Sequence, residues 1–438
     1  MNLSKYSVVE KMTNGSYFIL STISKGLIVL TPEKYEKLCS GQAIECFSPS
    51  EIEYLVSHYF LVDDNADEAK MLYVEMNRDR FHPHTFSTYI ALSTLCNFSC
   101  VYCYEQGQVN KYTKMSDKTL NATIEWYRNI LVSRRYQQCN ICLYGGEPLL
   151  FEDLLVQFVG KMREMTNRIN VTLSFTMISN GYLLNEKICD YLISQGLKEV
   201  QITLDGCKEA HDQRRVLKSG AGTFDTILSN ICNIAYRNIK IVIRSSFDES
   251  NIDGIVDLLQ LLKQFNLEKK IYLYFAPIHQ TESQRTNSCS FCSQHVYSEY
   301  KEIANYYCEL YEAANKLGFN IPSCYTNGPC MVIGADSCLI APDGTLYKCV
   351  EMIGNDKLKI GDVFSKQYNS RYYDFMVGSE FNKCIKSGCK YAPTCAGGCS
   401  MEAYIKNNDF SSIMCHKEIF DILDVKLGKL KCGGAIRG

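Results

Sequence analysis

Between residues 88 and 275 the chain repeats one pattern, a short apolar run followed by a longer stretch whose apolar residues recur every three or four positions. The runs at 88–95, 140–144, 171–178, 199–204, 239–245 and 270–275 have the length and composition of buried strands. Those between them, 116–132, 151–165, 185–194, 223–236 and 251–265, carry the period of amphipathic helices. Six βα units in succession predict an α/β fold with a parallel sheet, closed partway into a barrel. Its open side can admit a large substrate such as a peptide.

Residues from about 6 to about 80 follow a different pattern. Alternation over 6–12 and 17–20 flanks Thr13-Asn14-Gly15-Ser16, a hairpin signal, and 26–30 can add a third strand. Thr31 before Pro32 and Ser48 before Pro49 each read as an N-cap followed by proline at the first helical position.

The densest chemistry lies where the first expected strand ends. Cys96, Cys100 and Cys103 stand in Leu92-Ser-Thr-Leu-Cys-Asn-Phe-Ser-Cys-Val-Tyr-Cys-Tyr104, a CxxxCxxC loop. Strand C-termini are where α/β folds place reactive groups, and three thiolates can hold three irons of a [4Fe-4S] cluster. A zinc site or buried thiols are the alternatives. The spacing, with Tyr102 just before the third cysteine, resembles the radical S-adenosylmethionine (SAM) family, in which the fourth, open iron chelates SAM.

That resemblance extends to Tyr144-Gly-Gly-Glu-Pro148 after the second strand. It implies that Gly145, Gly146, Glu147 and Pro148 form the element bonded to the amino group of SAM, with Glu147 close to it. Tyr102 counts among the cofactor-binding residues, Ser179 and Asn180 are placed at the ribose, and Arg244 at the SAM carboxylate. Leu204-Asp-Gly206 leads into His211-Asp-Gln-Arg-Arg215, where Asp-Gly is also a good turn and an Asp/Arg pair can be structural.

A second cysteine series organises the C-terminal third. Thirteen residues separate Cys330 from Gly344, four more precede Cys349, and Cys384, Cys389, Cys395, Cys399 and Cys415 follow. A zinc ribbon is the alternative for any one pair. The series resembles the SPASM extension, which carries auxiliary [4Fe-4S] clusters in peptide-modifying radical SAM enzymes. By position the resemblance implies a first auxiliary cluster on Cys324, Cys330, Cys349 and Cys399, and a second on Cys384, Cys389, Cys395 and Cys415. Four residues part Cys384 from Cys389 where the family has two, and Cys338 rivals Cys324. One cluster with an open iron, free to take a substrate thiolate, is thus an expectation too. The N-terminal unit resembles the winged-helix recognition element that adds a leader peptide as an edge strand. A cap over the barrel is the plainer alternative. The expected organisation is 1–85 for recognition, 86–310 for a partial (β/α)6 radical SAM barrel, and 311–438 for the SPASM region.

Composition narrows the partners. With 46 basic and 48 acidic residues in 438, nothing argues for nucleic acid. No apolar run reaches 18 residues and no signal peptide opens the chain, so a cytoplasmic location without membrane is expected. The 23 cysteines then point to metal ligation under reducing conditions, not disulfides. Twelve of them, including Cys289, Cys292 and Cys432, fall outside the sets above and read as small hydrophobes.

The resemblance implies three [4Fe-4S] clusters and SAM, reductive cleavage of SAM to methionine and a 5′-deoxyadenosyl radical, and an external electron donor of flavodoxin or ferredoxin type. The expected reaction is an oxidative cross-link, thioether or carbon–carbon, in a ribosomal precursor peptide with a leader. Glu351 and Asp205 are the candidate bases. Anaerobic sulfatase maturation to formylglycine is the alternative. Against it, Val350 and Glu351 follow Cys349 where that subfamily has an aspartate directly after the cysteine. A non-catalytic electron-carrying iron–sulfur protein is the third reading.

Overall fold

The computed structural model describes residues 1–81, 84–105, 113–278, 299–325, 330–365, 367–378 and 380–435. Cys289 and Cys292 lie outside these. The first unit contains five short strands, β1 (Asn2–Leu3), β2 (Ser7–Lys11), β3 (Tyr17–Ser21), β4 (Leu27–Leu30) and β5 (Leu61–Val62). β2, β3 and β4 form the expected antiparallel sheet, in that order. The Thr31 side chain accepts from Lys34 N ahead of the helix Pro32–Cys39. Ser48 and Glu51 close a reciprocal capping box on Pro49–Ser57. Pairing of β1 with β5 and the helix Glu68–Phe81 were not expected from the sequence. Two-residue strands and a helix whose apolar positions are scattered leave little periodic signal.

Six parallel strands follow: β6 (Thr85–Ala91), β7 (Gln138–Tyr144), β8 (Thr172–Ser179), β9 (Leu197–Thr203), β10 (Lys240–Phe247) and β11 (Ile271–Pro277). Helices Asp117–Ser133, Glu152–Arg168, Glu186–Ser194, Phe224–Ile234 and Ile252–Gln264 lie between them, within a few residues of the expected bounds. Their buried positions, such as Leu155, Phe158 and Met162 on one helix and Ile255, Leu258 and Leu262 on another, pack in one continuous core with the strands.

Two expectations need correction. The first strand is Thr85–Ala91, not 88–95. After Ala91 the chain leaves the sheet, because the carbonyls of Ser93 and Leu95 are taken by Gly146 N and Glu147 N, each at 3.0 Å, instead of by a neighbouring strand. Residues 92–94 are buried in a loop wedged between elements. The expected division at 310 falls inside the continuous helix Tyr300–Leu317, which packs along Lys417–Ala435. The sheet also continues past β6. β12 (Ser337–Ile340) adds parallel to β6, and β13 (Thr345–Tyr347) and β14 (Lys359–Asp362) follow antiparallel, giving nine strands in all. The cysteine-rich region is therefore joined to the parallel sheet by backbone hydrogen bonds.

The N-terminal unit is anchored at the far end of the sequence. Phe18 is fully buried against Gly428 of the last helix, Thr22 Oγ1 donates to Lys390 O at 2.5 Å, and Lys429 pairs with Glu10 at 2.8 Å. A Cβ at Gly428 would come within 2.7 Å of the Phe18 ring. The substitution G428V is expected to cost about 1–3 kcal/mol through this overlap. Hydrogen–deuterium exchange should show it as faster exchange in β2 and β3, with β7–β9 unchanged.

Candidate active site

Behind β6 the cysteine loop is held from two sides. On one, Ser99 N donates to Val216 O at 2.8 Å, Val101 N to Arg214 O at 3.0 Å and Lys218 N to Asn97 O at 3.0 Å. Arg214 is fixed in turn by a buried pair with Asp248 at 2.8 Å. On the other side lies Gly145-Gly146. Gly145 has φ 118°, and a Cβ at either glycine would overlap the carbonyl of Ser93 or of Leu95. These glycines let the two loops touch backbone to backbone.

Cys96, Cys100 and Cys103 line one open cavity of about 750 Å³ at the strand ends. Cys100 is buried and the other two half-buried. Burial pushes the Cys96 and Cys103 thiols up to about 12 and raises Cys100, so binding iron must displace their protons. Among the described residues no three His, Cys, Asp or Glu side chains converge on a single ion-sized point. Three thiols spread around an open cavity suit a polynuclear cluster with one exposed corner better than one tetrahedral ion.

The cavity wall also includes Tyr102, Gly145, Gly146, Ser179, Asn180, Arg244 and Glu351, all singled out from sequence. Pro148, Glu147 and Asp205 are not part of it. Glu147 is 1% exposed, and its carboxylate accepts from Leu149 N at 3.0 Å, Ser179 Oγ at 2.8 Å and Asn180 N at 2.7 Å. It ties the Gly-Gly turn to the end of β8. Asp205 is fully buried and accepts from the Tyr102 hydroxyl and from Ser246 N at 2.8 Å. With one oxygen on Tyr102 and the other on Ser246 N, Asp205 is placed to position Tyr102. Asn251 Nδ2 further pins the Asp205 carbonyl at 2.8 Å.

Sequence reasoning left Arg215 and Glu105 without a role at the site. Arg215 is 8% exposed, reaches the cavity, donates to the Tyr102 hydroxyl at 2.8 Å and lies over the Phe98 ring. Glu105 is 6% exposed on the same cavity, and burial pushes its carboxyl up to about 7. Only their offsets from the cysteine loop and the Asp-Gly turn could have signalled them. Between them, Cys96, Cys100 and Cys103 each feel one carboxylate, that of Glu147, Asp205 and Glu105 in turn.

The second cysteine series separates into two groups. The charges bearing most on Cys349 are those of Glu351, Cys330 and Cys399, and Glu351 and Cys330 bear likewise on Cys399. Tyr89 on the cavity wall feels both Cys349 and Cys330, so this group lies behind that wall. Cys384 is surrounded by Cys389, Cys395 and Cys415. The turn joining the groups is tight: a Cβ at Gly398 would collide with the Met414 carbonyl, and Met414 N donates to Gly397 O at 2.9 Å. Cys324 packs with Tyr391 and Phe420 beside Cys389 and Cys395, on the side of the second group. Cys338 sits 1% exposed in β12.

Residues 90–262 match the Radical SAM superfamily. The cysteine-type anaerobic sulfatase-maturating enzyme of Clostridium novyi is 25% identical over 361 residues, 74% of this chain and 90% of that protein. The sporulation killing factor maturation protein SkfB of Bacillus subtilis is 26% identical over 189 residues, 43% of this chain and 42% of SkfB. In fold, native anSMEcpe with bound AdoMet aligns with TM-score 0.60 at 20% identity, over 80% of this chain and 100% of its own. Streptococcus suis SuiB bound to its precursor peptide SuiA aligns with TM-score 0.55 at 13% identity, over 94% and 98%. The α/β sheet and its CxxxCxxC loop thus define a radical SAM domain. Residues 90–262 are a radical SAM domain in a chain similar both to peptide maturases and to anaerobic sulfatase-maturating enzymes, and that domain implies a [4Fe-4S] cluster and SAM. No described helix is long and apolar enough to cross a membrane.

Two outcomes test this geometry. G146A should push the cysteine loop off its seat, and reconstituted protein should bind about four fewer irons per chain than wild type. His211, beneath Asp205, takes a hydrogen bond from Asp205 N on Nδ1 at 3.2 Å and faces Thr223 Oγ1 with Nε2. Burial, aided by Arg215, holds its imidazolium down to about 4. Since that lies below the unfolded value of about 6.5, the stability from neutral His211 is full above about pH 6.5 and is lost as pH falls through 4. Between those limits wild type should lose roughly 3 kcal/mol more than H211Q in parallel denaturant titrations.

Proposed function

We propose that this chain installs an oxidative intramolecular cross-link, thioether or carbon–carbon, in a ribosomally synthesised precursor peptide. The observation that carries the reading is the N-terminal sheet. Its edge strand β4 pairs only with β3 among the described residues and presents Val29 to solvent. A leader can add there by backbone pairing, which tolerates varied sequences. Peptide-bound SuiB aligns in fold over 94% of this chain.

In this reading Cys96, Cys100 and Cys103 hold a cluster whose open iron binds SAM, and together these supply a radical able to take a hydrogen atom from an unactivated C–H bond. The chain's own residues do the positioning. Tyr102, set by Asp205 and Arg215, shapes the wall beside the thiols. Gly145 and Gly146 leave room for a ligand's amino group, Ser179 and Asn180 face its ribose, and Arg244 supplies a cation for its carboxylate. Cys330, Cys349 and Cys399, and Cys384, Cys389, Cys395 and Cys415, would hold auxiliary clusters, which would supply acceptors for the electron left by bond formation. Glu351 lines the cavity and bears on Cys349, so it can take the substrate proton on the side where the electron leaves. A flavodoxin- or ferredoxin-type protein in the cytoplasm supplies the initiating electron.

Formylglycine generation is the second reading, favoured by the 90% coverage of the Clostridium novyi enzyme. One experiment separates the two. Anaerobically reconstituted protein is incubated with SAM, reductant and either the precursor peptide encoded beside its gene or a sulfatase active-site peptide, and the peptides are weighed. A precursor lighter by two hydrogens, with 5′-deoxyadenosine formed, is the expected result, and E351Q should lower cross-linked product by about 10²-fold. Oxidation of the sulfatase peptide alone would select the second reading, and no deoxyadenosine from iron-loaded protein would remove both.

A further inference from the structure

Tyr6, the residue before β2, is fully buried, and among the described residues its hydroxyl has no hydrogen-bond partner. It packs in one cluster with Leu72 of the helix Glu68–Phe81, with Phe381, and with Cys384 and Cys389 of the second cysteine group. The backbone fixes this juxtaposition. Thr22 N donates to Tyr6 O at 2.9 Å, and Thr22 Oγ1, bonded to Lys390 O, lies 2.8 Å from the same Tyr6 oxygen. Lys390 follows Cys389, whose N–H closes a turn on Cys384 O at 3.1 Å. Two carboxylates also lie near the hydroxyl, and both are engaged: Glu68 with Ser4 Oγ at 2.5 Å and Lys5 N at 3.2 Å, Asp67 with Lys70 at 2.9 Å. An unsatisfied hydroxyl in an apolar core is costly, and a neutral thiol is a weak acceptor. A metal-bound thiolate or sulfide is an anionic acceptor, to which the same hydroxyl bonds more strongly.

We propose that the Tyr6 hydroxyl is a hydrogen-bond donor to a sulfur of an iron–sulfur cluster held by Cys384, Cys389, Cys395 and Cys415, and raises that cluster's reduction potential. The inference rests on the reading that these four thiols hold a cluster. The residues present fit one. Cys384 and Cys389 close one turn, Cys389 and Cys395 share one packing cluster, and an orphaned donor is enclosed beside them. A bond from a donor to cluster sulfur strengthens when the cluster gains an electron, so the donor favours the reduced form. Tyr6 runs directly into β2, and Val8 and Leu20 of the same sheet pack with Cys389 and Cys395. The sheet that offers β4 to a leader therefore also carries the donor, and it is joined to the distal cysteine group by chemistry as well as by packing.

Y6F removes the hydroxyl and keeps the ring. Potentiometric titration followed by electron paramagnetic resonance, on the reconstituted full-length chain, reads the effect, with the relevant signal assigned by its loss in C384S. In Y6F that signal should move to a more negative potential, by about 59 mV for a bond that favours the reduced form tenfold, while the signal lost in C349S stays in place. An unchanged or raised potential in Y6F would mean that the hydroxyl does not serve the cluster, and overturns the proposal. Should Y6F not retain this cluster, urea titration of the metal-free chains decides. Y6F at least as stable as wild type supports donation to the cluster, and a less stable Y6F, showing that the hydroxyl already has a protein partner, overturns it. A C384S/C389S chain binding as much iron as wild type would show that these thiols hold no cluster, in which case the underlying reading fails and this inference with it.

Discussion

The contact on which the structure turns is the apposition of two loops, where Gly145 and Gly146 lie against the carbonyls of Ser93 and Leu95. Any side chain at those glycines would separate the loops. The contact draws the cysteine loop off the β6 edge, turns its thiols into the cavity and fixes the start of the chain's path toward Cys103. Glu147, buried beneath, extends the same restraint to Ser179 and Asn180. Carbonyls and amides that would otherwise be orphaned at three strand ends are satisfied by one another. The remaining open polarity faces the cavity.

A second constraint joins the ends of the chain. β12 adds to β6, so the C-terminal cysteines are held by the same sheet that carries the first three. The last helix returns to Phe18 and Glu10, and Cys389 and Cys395 pack with Val8 and Leu20 of the N-terminal sheet. A unit suited to peptide recognition is thereby built onto the more distant cysteine group. The division into three consecutive segments describes the order of motifs, but the packing interlocks them.

Buried charge surrounds both cysteine groups. Glu147, Asp205 and Glu105 bear on the first three thiols, and Glu351 bears on Cys330, Cys349 and Cys399. Such groups are retained against their desolvation cost only where something compensates them. At Tyr102 that compensation is visible, as Asp205 and Arg215 meet on one hydroxyl.

Much of this was legible beforehand because it is written in local period and spacing. The six strands, their helices, the Thr31 and Ser48 caps and both cysteine series follow from patterns spanning a few residues to a few dozen. The resemblance carried by those motifs singled out Gly145, Gly146, Ser179, Asn180, Arg244 and Glu351, and they line one cavity. What could not be read depends on contacts between distant segments. The run 88–95 looks like strand throughout until the Gly-Gly turn claims the carbonyls of Ser93 and Leu95. That the oxygens of Asp205 and Glu147 are all engaged is visible only in the structure, and Arg215 and Glu105 acquire a place only through burial. The assignment of Cys324 to the side of Cys389 is likewise decided by packing with Tyr391 and Phe420, which no spacing encodes. The sequence by itself determined which elements form and which residues can bind iron, since propensity and ligand chemistry are local. Only the tertiary structure decided which polar groups face the cavity and which are spent holding it, because hydrogen-bond satisfaction and desolvation depend on neighbours far apart in the chain.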